Sequence, residues 1–103
     1  MVEVEHWQQE QDGTLTESAL RRKLEARGYV VTTYRYPAGT CFAEHSHTVD
    51  KIDAVLSGRF RLVMAGAAVI LNAGDCVQVP KGVRHSAEVI GEETVVSLDA
   101  VKL

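Results

Sequence analysis

From Tyr29 to the C-terminus the sequence changes period, and that change limits the fold more than any other feature. YVVTTYRY, KIDAVLSG, RFRLVM, AAVIL, DCVQVP, HSAEVI and TVVSLDAVKL are short runs rich in β-branched and aromatic residues. Pro37-Ala38-Gly39, Gly58, Gly66, Asn72-Ala73-Gly74, Lys81-Gly82 and Gly91-Glu92 separate them. Short strands at regular spacing, punctuated by glycine turns, predict an all-β sandwich or barrel. No segment is duplicated and none has the composition of a linker. At 103 residues the chain suits one domain with a single core. Residues 29–103 read as that domain, and residues 1–28 as an N-terminal arm and helix.

The preface has its own logic. Residues 1–13 are polar and end in Asp12-Gly13, which reads as a turn or frayed arm. In TLTESALRRKLEARG, Thr14 and Glu17 have the spacing of a capping box, with Thr16 as the alternative cap. Leu20 and Leu24 stand at i, i+4 with Ala19 beside them, a narrow apolar stripe on a charged helix. Arg27 and Gly28 read as its stop. A single short helix of this kind is expected to cover an edge or outer face of the β domain.

Charge and patterning exclude several functions. Against 14 Asp plus Glu the chain has 11 Lys plus Arg, a net charge of −3, without the basic footprint of a nucleic-acid or anionic-membrane binder. No stretch approaches the roughly 18 apolar residues that span a bilayer. The start, MVEVEHWQQE, carries acids and no apolar run, unlike a secretory signal. The expected compartment is therefore the cytoplasm, with Cys41 and Cys76 reduced. No phosphate loop, serine nucleophile elbow or Cys-x-x-Cys is present. The expected partner is a small molecule, and apolar outer strand faces lead us to expect a homodimer.

Strand parity locates a polar interior. In KIDAVLSG, Lys51, Asp53 and Val55 share one face, and Ile52, Ala54 and Leu56 share the other. The second set is the more consistently apolar, so it needs cover from the N-terminal helix, a second sheet or a partner subunit. If the first set lines an interior, that interior holds a polar site.

Histidines supply the candidate chemistry. His45 and His47 stand at i, i+2, which on an extended strand puts both imidazoles on one face about 7 Å apart along the backbone. His85 follows Pro80 and Gly82 in VPKGVRH, where a tight turn leads into a new strand. Of the four histidines, His6 lies in the polar arm and reads as solvated.

These residues resemble the two motifs of the cupin family. Gly39, five residues, His45-Ser46-His47, three residues, position 51, six residues and Gly58 follow the spacing of the first. Gly74, five residues, Pro80-Lys81-Gly82, two residues and His85, followed by position 89, match the second. The resemblance implies an all-β double-stranded β-helix, a jelly-roll barrel with one short N-terminal helix. It also implies one divalent transition metal on His45, His47 and His85, with Fe(II) favoured and Zn, Ni, Mn or Cu compatible with imidazole ligands. Three protein ligands leave positions open for a substrate. Some cupin thiol and diketone dioxygenases use three histidines on non-haem iron, so a dioxygenase-type enzyme is one implied function. A non-catalytic sensor or binder of small molecules, anions or metals is the other.

Two family positions differ. The usual glutamate ligand is Lys51 and the closing asparagine is Val89. Three readings follow: a neutral histidine triad with Lys51 turned aside, or attracting an anionic substrate and taking a catalytic role; Asp53 replacing the lost carboxylate, or pairing with Lys51; or a metal-free anion site. Tyr36 and Cys41 are further candidate substrate contacts, Cys41 because it shares the parity of His45 if the strand is unbroken. Tyr34 and Phe42 could line the same pocket or simply pack. Cys76, alternating with Val77 and Val79, is expected to face out, and Glu44 to be solvated.

Overall fold

A computed structural model describes residues 2–103. Its strands are β1 (Val4–Glu5), β2 (Val30–Tyr36), β3 (Cys41–His45), β4 (Asp50–Ser57), β5 (Arg59–Met64), β6 (Ala67–Leu71), β7 (Cys76–Val79), β8 (His85–Ile90) and β9 (Val95–Lys102). The helices are α1 (Gln9–Asp12) and α2 (Glu17–Glu25). A five-stranded sheet runs β1-β7-β4-β9-β2 and a four-stranded sheet runs β3-β8-β5-β6. All pairs are antiparallel, and successive strands cross repeatedly from one sheet to the other. This is the expected jelly roll.

Alternation along the strands divides the apolar residues between two layers. Val55, Phe60, Leu62, Met64, Leu71, Val77, Val79 and Val95 fill the space between the sheets. The opposite face of the five-stranded sheet presents Ile52, Ala54, Cys76, Leu98 and Ala100, which pack with Leu20, Leu24 and Val31. Helix α2 is therefore the cover required by the even-numbered face of β4. Leu20 and Leu24 are each only 1% exposed, so two side chains make most of that seam. Cys76 does point away from the interior, but this layer buries it.

Two details of the preface differ from expectation. Thr16, not Thr14, caps α2, its hydroxyl accepting from Ala19 N–H at 3.1 Å. The helix begins at Glu17, so Thr14 lies two residues before the cap position. The arm is also built into the domain. Val4 and Glu5 pair with Val77 and Cys76 of β7, while Arg27 donates to both Glu5 oxygens at 2.9 and 2.5 Å. His6, although exposed, meets the buried Asp75 at 2.6 Å. Gly74 (φ +88°) is required beside it, since a Cβ there would lie 2.7 Å from Cβ of Trp7.

Candidate metal centre

The three motif histidines converge from two strand ends of the four-stranded sheet. His45 closes β3, His47 follows it, and His85 opens β8 as the direct cross-strand partner of His45. Ring centroids are 4.3 Å apart for His45 and His85, 4.8 Å for His45 and His47, and 5.1 Å for His47 and His85. One nitrogen from each lies within 4.8 Å of the others, and this is the group of potential metal ligands found among the described residues.

Local hydrogen bonds settle which nitrogens face the centre. Nδ1 of His45 is 2.7 Å from the Ala43 carbonyl, and Nδ1 of His85 is 3.0 Å from the Val83 carbonyl. A carbonyl only accepts, so both Nδ1 atoms carry the proton and both Nε2 atoms keep a lone pair. Nε2 of His47 is buried with no hydrogen-bond partner. Burial, then Lys51 and the two neighbouring histidines, hold its pKa below the ordinary histidine value and favour the neutral ring. An orphaned imidazole nitrogen beside two pre-set lone pairs fits a borderline transition metal.

Behind the histidines lies a cavity of about 210 Å³, walled by Tyr36, Phe42 and Phe60 on its apolar side. The aromatic rings pack on one another, Tyr36 against Phe42 at 4.9 Å and against Phe60 at 5.7 Å. Lys51, Asp53, Ser97 and Asp99 form the polar side. Lys51 is 8% exposed, and its ammonium lies 2.6 Å from Asp99 and 3.7 Å from Asp53. Burial raises the Asp53 pKa, opposed by Lys51 and reinforced by Asp99. Burial and the same two carboxyls push the Tyr36 phenol up to about 12. A larger groove, about 670 Å³, runs beside β1, but no histidine lines it.

Most of the sequence candidates meet here. His45, His47, His85, Lys51, Asp53 and Tyr36 line one cavity, with Phe42. Tyr34 stacks on Tyr36 but is exposed. Cys41 does not join them; it is exposed and lines a separate surface hollow with Arg61 and Glu88. The cause is a β-bulge. Phe42 pairs with Ala87 and His45 with His85, so three steps on β3 answer two on β8 and the parity inverts between them. Glu44 is solvated, as expected, and pairs with Arg84 at 3.0 Å. Asp99 escaped the sequence reading. Its signal was the one that exposed Lys51 and Asp53: Ser97 and Asp99 are in phase with each other, opposite Leu98 and Ala100.

The model of the cupin domain family matches residues 32–101. No curated protein matches the sequence. Among solved structures, a cupin 2 conserved barrel domain protein from Salinispora arenicola is 26% identical, with a TM-score of 0.65 over 74% of this chain and 64% of that one. KdgF from Halomonas sp. is 21% identical, TM-score 0.65, over 74% and 70%. The DMSP lyase DddQ from Ruegeria pomeroyi is 23% identical, TM-score 0.66, over 74% of this chain but only 39% of its own. These likenesses establish the fold.

Proposed function

This chain belongs to the cupin domain family, and from that premise we propose that it is a small metalloenzyme whose His45, His47 and His85 hold one divalent transition metal, Fe(II) foremost. The observation that carries the reading is the pair of Nδ1–H bonds to Ala43 and Val83, which leave Nε2 of His45 and His85 free beside the orphaned Nε2 of His47. A metal so held supplies Lewis acidity and open coordination positions for a small molecule, or for O2 in a dioxygenase-type reaction. The chain's own groups do the rest. Phe42 and Phe60 exclude water from one side, and the Lys51, Asp53 and Asp99 cluster orients the ligand's far end. Lys51, already ion-paired, serves as a positioning group rather than as a free cation.

Metal content tests the reading. Protein purified without a histidine tag and offered Fe(II), Zn, Ni, Mn and Cu is expected to retain about one equivalent of a transition metal. His85→Ala should lower that affinity by at least a hundredfold. Retention of none of these metals by the wild type, or unchanged retention by the variant, contradicts it. Oxygen uptake by the Fe(II)-loaded chain with thiols and diketones separates an oxygenase from a binding protein. A homodimer is part of the proposal, supported by the exposed Val30, Tyr34 and Ile70, and sedimentation measures it.

A further inference from the structure

The buried Lys51 and its two half-buried carboxyl partners lie opposite the histidines and bear on the kind of ligand the cavity accepts. One ammonium, Lys51, faces two carboxyl groups, Asp99 at 2.6 Å and Asp53 at 3.7 Å. With both carboxyls ionised the cluster sums to −1, and with a proton on either it sums to zero. While Lys51 keeps these partners the cluster is not a net positive patch, so it offers no electrostatic reward to an arriving anion. A ligand carboxylate beside Lys51 would bring a third carboxyl group to a single ammonium. It would also meet Asp53 and Asp99 as like charges in a space of about 210 Å³.

A hydroxyl meets the opposite situation. It donates to a carboxyl oxygen and accepts from an N–H in the same geometry, whereas a carboxylate only accepts. Oδ1 of Asp99, although 2.6 Å from the Lys51 ammonium, is buried without a hydrogen-bond partner, so this end holds an open acceptor for a hydroxyl beside the ammonium's N–H donors. Ser97 adds a hydroxyl to the same end. At the other end three neutral imidazoles around a divalent cation leave a net positive charge, which favours one acidic oxygen or sulfur.

We propose that the cavity takes a small ligand with one acidic group for the histidine end and an uncharged hydroxyl for the Lys51 end, and that it rejects dianions of the same length. The inference rests on the metal reading for the acidic end alone; the Lys51 end stands on the ion pairs.

Two probes of equal chain length make the comparison, 5-hydroxypentanoate and glutarate. They are titrated into the 15N-labelled, Zn(II)-loaded full chain, with the amide shifts of Ala87 and Ser97 as readout. The hydroxy acid should bind at least tenfold more tightly than glutarate. Asp99→Asn leaves Lys51 with Asp53 alone and should cut that preference about tenfold or reverse it. Should that variant fail to fold, Lys51→Met keeps both carboxyls without the ammonium and should still reject glutarate. Glutarate binding as tightly as the hydroxy acid in wild type, or neither compound moving these amides, overturns the proposal. A chain that takes up no zinc fails the metal reading only. The Lys51 end is then read in the metal-free chain with 1,5-pentanediol against glutarate, where the diol should be preferred and the reverse order overturns the inference.

Discussion

His45 and His85 face each other across adjacent strands and make the same bond, each donating Nδ1–H to the carbonyl two residues back, at 2.7 Å to Ala43 and 3.0 Å to Val83. The repetition fixes two tautomers with main-chain atoms alone, so no neighbouring side chain needs to orient the rings. His47 lacks such a bond and is the ring whose protonation state burial controls.

That difference gives a pH dependence with a definite sign. The His47 pKa is lowered in the folded chain, so as pH falls the unfolded chain takes up this proton first. The neutral ring's contribution to stability is present above about pH 6.5, the unfolded value, and is lost as pH drops from there through the folded value. Imidazole NMR of the metal-free chain should place the His47 midpoint below 6.5, and His47→Gln should flatten the stability slope in that window. A midpoint at or above 6.5 contradicts the assignment.

Lys51 and Asp99 should depend on each other. Asp99→Leu alone leaves an ammonium buried with a single, more distant carboxyl partner, and should cost about 3 kcal/mol or more. Adding Lys51→Met removes that charge and should recover most of the loss, since Asp53 can then hold a proton. Urea unfolding of the two single variants and the double variant measures the coupling. Additive losses would mean that the 2.6 Å contact contributes little.

Helix α2 should stabilise the β domain through two leucines. Leu24→Ala opens a cavity in the layer shared with Ile52 and Leu98 and should cost about 2–5 kcal/mol. Thr16→Ala removes the cap bond to Ala19 and should cost about 1 kcal/mol, while Thr14→Ala should be nearly silent. Thermal unfolding of the three variants ranks them.

The two thiols should separate by reactivity. Cys41 is exposed, whereas burial and then Glu5 push the Cys76 thiol up to about 11. Near pH 8 a disulfide reagent should modify Cys41 quickly and Cys76 only on unfolding. Equal fast reaction of both would mean that the layer beneath α2 opens readily.

Much of this arrangement can be read from spacing because strands alternate. Lys51, Asp53 and Val55 fall inside by parity, and the two motifs carry their histidines at fixed distances from glycine turns. What escapes depends on pairing partners remote in sequence. The bulge at Ala43 and Glu44 exists only against β8, and no local pattern in CFAEH announces it. Asp99 becomes a site residue because its register sets it opposite Asp53. Strand β1 is two residues long, and an edge of β7 with a glycine beneath Trp7 turns that fragment into structure.

The β3 bulge has a consequence for how this site tolerates change. It makes one strand two half-strands out of phase, the first presenting Phe42 to the cavity and the second His45. Substitutions before the bulge bear on the aromatic wall of the chamber, and substitutions after it on the histidine cluster. Deleting a single residue at Ala43 or Glu44 would set the phenyl and the imidazole two residues apart, matching the two steps from Ala87 to His85, so a regular strand without the bulge would turn both toward the cavity. The bulge thus absorbs an insertion without turning either side chain away from the chamber.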